Sequence, residues 1–576
     1  MSEPIVESLK DVLLESTDRH PDRPALARRG GASYTYRDAF TTAAGVAAAL
    51  MRRGVQPGDR VALFAENSPE WGITYLATTA MGAIIVPILT DFHTEQVDSI
   101  LRHAEPRLVV VSESLRPVVN GASQSAPTVT VETLAAEARA AGGAPGTSGP
   151  NVDPNEVFPG RPGADDTAAI IYTSGTTGSP KGVMLTHGNL VSNVLSTLDM
   201  VAVGEDDRLL SILPLAHTYE CTIGFLIPFL AGASITYLSG PPVISALLPA
   251  LADVKPTMML SVPLIMEKIY RSRVAPVVAG LPGLLRRMRP VRVLVHRVAA
   301  RKVKRLFGGC LHFFGIGGAA LSEDTERFLR DGRFPYAIGY GLTETSPLIV
   351  GSDARHTRFR SAGRPIGGVE IRIVPQSQND ADVPHRAVHA TQAGGAGIDM
   401  LGEIQVRGPN VMKGYFRNPQ ATAEIFTEDG WLRTGDLGTI DRHGYVYIRG
   451  RSKTTIIGPS GENIFPEEIE AAIEADEVVE ESLVMAEAGA LVARVRINVE
   501  KLAERLGDAL PSVDLEGVRE HAQEFLKDLR RRVNARLNRY SRVAKMELQE
   551  EPFERTPTKK IKRFRYRDGG ESDTTR

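Results

Sequence analysis

The spacing of hydrophobic and polar positions in the first half of the chain predicts helices that alternate with short strands. Residues 37–54 carry apolar side chains at helical spacing, and residues 70–88 predict a helix followed by a strand. Short apolar runs predict further strands at 59–66, 106–112 and 167–173. This succession predicts an α/β fold, in which a largely parallel sheet is flanked by helices.

The pattern changes towards the carboxyl end of the chain. Residues 402–408 and 445–451 alternate like short strands, whereas helices are predicted to dominate after Arg451, notably over 516–540. The polar, glycine-rich stretch 374–400 predicts a surface excursion. The last residues, 569–576, have no apolar side chain and predict a disordered tail.

One long uncharged run, residues 221–252, could be mistaken for a membrane span. Proline and glycine interrupt it at Pro228, Gly232 and Gly240, whereas a transmembrane helix needs about 20 unbroken apolar residues. We expect a buried helix, a buried strand and a turn instead. The first residues lack the basic and apolar regions of a signal peptide, so a cytoplasmic location is expected.

Composition narrows the class of protein. A length of 576 residues predicts three or four structural units. The net charge of -2 gives no general attraction to nucleic acid, and no nucleic-acid partner is expected. Only Cys221 and Cys310 are present, which excludes a disulfide framework and a cysteine-based zinc site.

A small-residue loop, YTSGTTGSPKG at 172–182, is the first candidate for chemistry. Its glycines allow backbone N–H groups to converge, its hydroxyls can donate hydrogen bonds, and Lys181 adds a positive charge. It therefore favours a phosphate-binding loop over a plain surface turn. The spacing G-x-x-G-x-x-K-G differs from the Walker loop, which removes the main support for a kinase-like or GTPase-like function.

Other short segments each allow a functional and a structural interpretation. In YGLTETSP, 340–347, Glu344 is a hard oxygen ligand suited to Mg²⁺, or else a capping residue at a helix start. In RTGDLG, 433–438, the carboxylate of Asp436 can accept two hydrogen bonds, or form an Asx turn. GIGGAAL, 315–321, fits the dinucleotide pattern only weakly, because no acidic residue closes a following strand.

Taken in order, these segments resemble the signature motifs of the adenylate-forming superfamily, which includes acyl-CoA synthetases, luciferases and peptide-synthetase adenylation domains. The resemblance spans most of the chain and is greatest to long-chain fatty acyl-CoA synthetases. It implies a large N-terminal domain, residues 1–450, of layered and mostly parallel sheets with a β subdomain. It also implies a small mobile α+β domain at 451–568, before the tail at 569–576.

The resemblance also assigns roles to single residues. It implies that Thr343 contacts the α-phosphate, Glu344 holds Mg²⁺, His217 lines the carboxylate side of the site and Lys560 is the catalytic lysine. It implies that Lys453 is the domain hinge. Lys559 stands where the family usually has glycine. The residues implied to bind ATP or AMP are Thr173, Ser174, Gly175, Thr176, Thr177, Gly178, Lys181, Gly318, Ala319, Tyr340, Gly341, Asp436 and Arg451.

The implied reaction is ATP-dependent activation of a fatty acid. A carboxylate is a poor electrophile, and its conversion to an acyl-adenylate releases pyrophosphate and creates a good leaving group. Mg²⁺ and lysine would offset the repulsion between carboxylate and triphosphate. The acyl group would then pass to CoA. The alternatives are an acyl-AMP ligase, a ligase that loads an acyl carrier protein, a ligase for another acid, or a non-catalytic AMP-binding module.

One further segment is strongly basic. Residues 271–305 contain eleven lysines and arginines and no acidic residue, interleaved with apolar residues. Such a segment can rest on anionic lipid headgroups, which would place the protein at the membrane periphery. It can equally form a solvated helical hairpin, and the sequence leaves both interpretations open.

Overall fold

The computed structural model describes the chain except for short stretches. The residues outside the description are 1–5, 122–125, 143–156, 174–179, 239, 241–242, 283–284, 286–287, 376–387, 390–400, 453, 458–462, 488–489, 507–514, 556–560 and 567–576. Among the described residues the chain forms two large sheets, a smaller antiparallel sheet and a separate carboxyl-terminal layer.

The first large sheet has the strand order β20-β8-β7-β4-β3-β5-β6. Its strands are β3 Arg60–Phe64, β4 Ile84–Pro87, β5 Leu108–Val111, β6 Thr128–Thr130, β7 Thr167–Thr173, β8 Lys181–Thr186 and β20 Gly414–Tyr415. The strands from β7 to β6 are parallel, while β8 and β20 join antiparallel. The parallel strands are almost entirely buried, as expected when helices cover both faces of a sheet.

The second large sheet has the order β13-β12-β11-β9-β10-β1-β2. Its strands are β1 Pro24–Arg28, β2 Ser33–Thr35, β9 Arg208–Ser211, β10 Ser234–Tyr237, β11 Met258–Ser261, β12 Phe313–Ile316 and β13 Tyr336–Ile338. All neighbours are parallel except β1 and β2. Several of the predicted site segments follow the carboxyl ends of these strands, which is where α/β proteins place ligands.

Four smaller sheets contain the remaining strands of the described residues. A three-stranded sheet comprises β14 Tyr340–Gly341, β15 Leu348–Gly351 and β16 Arg364–Pro365. A five-stranded antiparallel sheet comprises β17 Glu370–Val374, β18 Val388–His389, β19 Gly402–Arg407, β21 Leu432–Ile440 and β22 Val446–Arg451. The carboxyl-terminal strands are the pair β23 Ile456–Ile457 and β24 Asn463–Ile464, and the sheet of β25 Val479–Glu487, β26 Ala490–Ile497 and β27 Lys545–Leu548.

Helices connect the strands. In the first half they are α1 Leu9–Arg19, α2 Tyr36–Arg52, α3 Pro69–Ala80, α4 Thr94–Ala104, α5 Arg116–Asn120, α6 Val131–Gly142, α7 His187–Met200, α8 Ile227–Leu230, α9 Ile244–Val254, α10 Pro263–Ile269, α11 Ala275–Ala279 and α12 Arg289–Leu306. The later helices are α13 Glu323–Asp331, α14 Pro419–Ile425, α15 Pro466–Ile473, α16 Val499–Leu506 and α17 Leu515–Asn534. Short 3₁₀ turns lie at Glu113–Leu115, Thr343–Thr345 and Arg563–Tyr566, and π-helical turns at Tyr219–Leu226 and Tyr270–Val274.

Local sequence explains where several helices begin. Thr35 and Thr186 each accept a hydrogen bond from the backbone three residues on, in a capping box that satisfies the first N–H groups of α2 and α7. Ser68 caps α3, which has Pro69 in its first turn. Helix α3 is buried nearly throughout, and its Trp71 belongs to one continuous core with side chains from both large sheets.

The carboxyl-terminal part has a hydrophobic cluster of its own. Buried side chains from Ile464 to Val543 pack together between helices α15 and α17 and strands β25 and β26. Helices hold more of its described residues than strands do, and α17 lies where the sequence predicts a long helix, but the sheet of β25, β26 and β27 was not predicted. Strands β25 and β26 pair antiparallel along their length, and each contains a run of three or four consecutive buried residues.

The predicted fold class is confirmed, since helices flank largely parallel sheets in the order that the sequence pattern indicates. The uncharged run forms a π-helical turn, α8, β10 and part of α9 rather than a membrane span; its first part is buried, whereas Val243 and Leu248 are exposed. Within the described residues, no helix combines the length and apolar character that crossing a bilayer requires. Most of the predicted excursion at 374–400 lies outside the described residues.

Candidate active site

The two strands that flank the predicted phosphate loop in sequence pair with each other. Thr173 at the end of β7 is opposite Lys181 at the start of β8 in the antiparallel register. The sequence between them therefore links two paired strands. The remaining predicted loop residues lie outside the described residues: Ser174, Gly175, Thr176, Thr177 and Gly178.

A tyrosine joins the phosphate-loop lysine to the predicted magnesium ligand. The hydroxyl of Tyr415 donates to Oε1 of Glu344 over 2.9 Å, and Nζ of Lys181 lies 5.0 Å from the centre of the Tyr415 ring. Strand β20, which carries Tyr415, pairs with β8, so the backbone brings these groups together. Burial and the neighbouring Glu344 raise the pKa of Tyr415, so its hydroxyl remains a donor at neutral pH.

The segment around Glu344 is fixed by its backbone. Thr343 and Glu344 lie in the 3₁₀ turn that follows β14, and the carbonyl of Glu344 accepts from the N–H of Met412 over 2.9 Å. Gly341 is required just before this turn, because a Cβ there would lie 1.7 Å from the carbonyl oxygen of Pro347. The turn therefore positions the Glu344 carboxylate close to β20.

A second cluster forms around Asp436, which is 4% exposed. Tyr340 donates from its hydroxyl to Oδ2 over 2.7 Å, and Nε of Arg451 lies 3.2 Å from Oδ1. Asp436 and Arg451 are partners in the register of β21 and β22. Burial and the Asp436 charge raise the pKa of Tyr340 well above its usual value, which keeps its hydroxyl protonated. Three predicted nucleotide-binding residues thus meet from segments that are distant in sequence.

The glycine turn after β12 lies against an aromatic ring. A Cβ on Gly317 would lie 3.0 Å from the ring of Tyr219, and one on Gly315 would lie 3.2 Å from its hydroxyl. Gly318 has φ +84°, a left-handed conformation that favours glycine, and Gly318 and Ala319 are both exposed. The backbone of this turn is therefore accessible, as a base-contacting turn requires.

His217 lies on the segment that leads into the π-helical turn carrying Tyr219. Its Nδ1 accepts from the backbone N–H of Tyr219 over 3.2 Å, and the side chain is half-buried. This hydrogen bond orients the ring. Two predicted residues, the hinge Lys453 and the catalytic Lys560, lie outside the described residues.

A buried carboxyl lies beside this segment. Glu220 is 2% exposed, and its Oε1 accepts from the hydroxyl of Ser211 over 2.6 Å, while Oε2 has no partner among the described residues. Burial raises the pKa of Glu220 to about 8, although the Ser211 hydrogen bond acts in the opposite direction. Glu220 is therefore mainly neutral at pH 7, which removes the cost of a buried charge.

An apolar pocket begins next to Tyr219. A Cβ on Gly315 would contact Leu260 and Phe313 as well as the Tyr219 hydroxyl, and both of these apolar residues line the pocket. Thr197 is the one polar residue in the lining among the residues that the structure describes. The described residues that line it are Thr197, Val201, Val203, Leu209, Ile223, Ile227, Pro228, Met258, Met259, Leu260 and Phe313.

Sequence reasoning missed Tyr415 and Tyr219. Tyr415 lies in a segment whose family resemblance pointed only to a structural role, and 71 residues separate it from Glu344. Tyr219 lies two residues after the predicted His217, so its neighbourhood was identified but its contact with the glycine turn was not. No local signal in either segment predicts these contacts.

Comparison with known proteins decides the family. The family model described as AMP-binding enzyme matches residues 13–416, which is well over half of the chain. This chain belongs to the AMP-binding enzyme family. It is thus an AMP-forming acid–thiol ligase, as its ordered motifs predicted.

Individual AMP-binding enzymes resemble the chain over most of its length. Long-chain-fatty-acid–CoA ligase FadD15 of Mycobacterium bovis is 32% identical over 481 residues, covering 77% of this chain and 74% of its own. Feruloyl-CoA synthase of Amycolatopsis sp is 30% identical over 456 residues, covering 77% and 78%. The solved structure of ATP-bound MatB from Rhodopseudomonas palustris is 27% identical, with a TM-score of 0.72 and coverage of 98% and 99%.

Proposed function

We propose that this AMP-binding enzyme activates a long-chain fatty acid with ATP and Mg²⁺, and then transfers the acyl group to CoA. The observation that carries the substrate is the similarity to FadD15 over 77% of this chain, and the apolar lining of the small pocket is compatible with an alkyl chain. Within the described part of the chain, Thr197 is the only polar residue that lines this pocket, and the pocket begins beside Tyr219, near the predicted carboxylate and base positions. The similarity to FadD15 supports the same substrate class, whereas the feruloyl-CoA synthase supports an aromatic acid.

The residues around the site suit the first half-reaction. Glu344 fits a Mg²⁺ ligand: Oε1 is oriented by Tyr415, and Oε2 accepts no hydrogen bond within the described chain. When bound, Mg²⁺ would neutralise phosphate charge and so ease the departure of pyrophosphate. Lys181 would bind phosphate oxygens, Thr343 would contact the α-phosphate, and Lys560 would balance the charge that develops as the carboxylate attacks.

The remaining residues would bind the rest of the nucleotide. Asp436 would accept from the ribose hydroxyls, and Arg451 and Tyr340 would hold the Asp436 carboxylate in position. Gly318 and Ala319 would approach the base by their exposed backbone. In this proposal the protein supplies positioning and electrostatics rather than a covalent nucleophile.

The second half-reaction would use the carboxyl-terminal part, residues 451–568, as a mobile domain. Its separate hydrophobic cluster is consistent with a unit that moves as one body about Lys453. Movement of this kind would remove Lys560 from the acyl-adenylate and admit the thiol of CoA.

The test is ATP- and Mg²⁺-dependent pyrophosphate release across straight-chain acids from acetate to stearate, with benzoate and ferulate, in the presence and absence of CoA. We expect turnover with long-chain acids that requires CoA. Turnover restricted to the aromatic acids would contradict the proposed substrate. Release of a single equivalent that CoA does not accelerate, followed by transfer to an acyl carrier protein, would contradict the proposed acceptor.

A further inference from the structure

The apolar pocket beside Tyr219 contains one hydroxyl group that has no partner in the described protein. Thr197 lines this pocket and is 3% exposed, and its Oγ1 forms no hydrogen bond within the part of the chain that the structure describes. The other described residues of the lining are apolar. Burial of a hydroxyl without a hydrogen bond is costly, so such a group in a native structure requires an explanation.

The usual partner of a buried helical threonine is its own helix. Thr17, Thr78 and Thr79 each donate from the hydroxyl to the backbone carbonyl four residues earlier, over 2.8 to 3.0 Å. Thr197 lies inside α7, where Asn193 offers a carbonyl at the same spacing, yet its hydroxyl does not donate to it. The hydroxyl of Thr197 is therefore available to a group inside the pocket.

A water molecule is a poor partner for this hydroxyl. A buried water typically makes about three hydrogen bonds and needs at least two polar partners. The described lining offers one polar side chain, that of Thr197. A ligand that carries a hydroxyl on an apolar body would instead bond to Thr197 and place its other atoms against apolar side chains.

The lining also restricts the rest of the ligand. A sugar or a nucleotide would leave most of its polar groups unpaired among side chains such as Leu260 and Phe313. An unsubstituted alkyl chain suits these side chains but leaves the Thr197 hydroxyl unpaired. An alkyl chain with one hydroxyl group satisfies both parts of the lining.

Helix α7 links the pocket to the proposed active site. One turn before Thr197, the side-chain amide of Asn193 donates to the carbonyls of Thr345 and Leu348, over 3.2 and 2.8 Å. Thr345 follows Glu344, the proposed magnesium ligand, in the same 3₁₀ turn. Thr197 is thus one helical turn from a residue that contacts the active-site turn, which suits recognition of a group on the acid itself.

We propose that the acid substrate carries a hydroxyl group on its chain and that Thr197 binds this group. The inference rests on the proposed function and narrows its substrate to a hydroxylated long-chain fatty acid. The Thr197 hydroxyl donates to the substrate oxygen or accepts from it, which fixes the position of the chain in the pocket. Thr197 determines specificity in this proposal and takes no part in the chemistry of adenylate formation.

The test compares kcat/KM for palmitate with kcat/KM for its monohydroxy isomers, with the hydroxyl placed from beside the carboxyl group to the far end of the chain. The assay is pyrophosphate release in the presence of ATP, Mg²⁺ and CoA. We expect at least one isomer to exceed palmitate by about tenfold in the wild type, since palmitate leaves the buried hydroxyl unpaired.

Three variants assign this preference to Thr197. Thr197→Val replaces the hydroxyl with a methyl group and should abolish the preference, whereas Thr197→Ser keeps a hydroxyl and should retain it. Thr222→Val is the matched control and should keep the wild-type preference. Thr222 is also buried with an unpartnered hydroxyl among the described residues, but it is absent from the described lining of the pocket.

A second measurement needs no substrate. Removal of a hydroxyl that has no partner in the protein should not destabilise the fold, so Thr197→Val should unfold at the wild-type temperature or slightly above it. A clear decrease in unfolding temperature would show that the protein itself satisfies this hydroxyl, and would overturn the proposal.

The activity results separate this inference from the proposed function. If no hydroxylated isomer exceeds palmitate, or if the preference survives Thr197→Val, the role of Thr197 is wrong and the long-chain proposal stands. If neither palmitate nor any hydroxylated isomer is turned over, the proposed function is wrong and this inference fails with it.

Discussion

At the scale of single residues, Tyr415 is the group that couples Lys181 and Glu344, the two charged residues of the proposed phosphate site. Its hydroxyl donates to Glu344 and its ring lies beside Lys181, so one side chain orients an anionic and a cationic group together. It is 6% exposed, and no second donor reaches Glu344 Oε1 among the described residues. The position of the Glu344 carboxylate therefore depends on this hydroxyl.

We predict that Tyr415→Phe weakens the proposed metal site without unfolding the protein. A hydrogen bond to a charged acceptor contributes about 1.5–3 kcal/mol, so adenylate formation should fall roughly 10- to 100-fold and require more free Mg²⁺. Pyrophosphate release measured across free Mg²⁺ concentrations checks this. Tyr447→Phe, which removes a hydroxyl 3.1 Å from Asp441, serves as the control. An unchanged Mg²⁺ requirement in Tyr415→Phe would contradict the role.

A second residue-scale prediction concerns the pH dependence of stability. Because burial raises the pKa of Glu220 to about 8, the folded protein binds a proton that the unfolded chain releases near pH 4.5. Stability is therefore greatest below the unfolded pKa and decreases as the pH rises towards the folded pKa. We expect Glu220→Gln to remove this decrease.

The measurement is the free energy of unfolding in denaturant at pH values from about 5 to 9, within the window set by those pKa values. The wild type should lose several kcal/mol across this range relative to Glu220→Gln. Ser211→Ala should increase the pH dependence, because the Ser211 hydroxyl stabilises the ionised form. The prediction would be refuted if the free energy of unfolding changed with pH in the same way for the wild type and for Glu220→Gln.

At the scale of elements, the π-helical turn Tyr219–Leu226 connects the site to the pocket. Tyr219 at its start contacts the glycine turn after β12, and Ile223, four residues later, lines the pocket. A π-turn carries more residues per turn than an α-helix and is commonly found at functional sites. The apolar sequence predicted burial here but not this wider turn, because hydrophobic composition does not specify hydrogen-bond spacing.

We predict that Ile223→Trp reduces the maximum chain length of the acids that the enzyme accepts. The larger side chain would fill part of the pocket, so kcat/KM should fall at least about tenfold for stearate and remain near wild type for a short acid. The comparison of kcat/KM across chain lengths checks this, with Ile223→Val as the control that preserves the shape. An equal loss for all acids would mean that the substitution damages the site rather than the pocket.

At the scale of the whole molecule, the proposed chemistry requires two arrangements of the same chain. The carboxyl-terminal part has its own core. Arg563, three residues after Lys560 in the sequence, donates to the carbonyl of Val484 and pairs with Glu470 in this part. Motion of this part as a unit would therefore carry the lysine with it. Domain movement remains a prediction.

We predict that Lys560→Ala separates the two half-reactions. Loss of the charge should reduce adenylate formation by at least about 100-fold. Transfer from a supplied synthetic acyl-adenylate to CoA should remain near wild type, since the lysine is not needed for that step. Lys559→Ala is the matched control and should alter neither step strongly. Loss of adenylate formation in Lys559→Ala but not in Lys560→Ala would assign the catalytic role to Lys559. Loss of both half-reactions in Lys560→Ala would contradict a role for Lys560 in the first half-reaction alone.

Local patterns in the sequence determined most of the secondary structure of the first half and were enough to indicate the family. Apolar runs and helical spacing located most elements of the first half, such as α2 and β7, because backbone periodicity follows directly from which faces are buried. The ordered motifs were enough to indicate the family, because phosphate and Mg²⁺ chemistry needs glycine, hydroxyl, lysine and carboxylate groups in restricted arrangements. The strands β25 and β26 were missed because tertiary pairing outweighed local charge.

Only the tertiary structure decided which of these residues meet. It paired β20 with β8, which placed Tyr415 between Lys181 and Glu344, and it paired β21 with β22, which placed Arg451 against Asp436. It also turned Leu294 and Val298 outwards, on the face of α12 that carries exposed basic side chains. Contacts between distant segments depend on sheet order and packing, and these are properties of the whole chain that no local window contains.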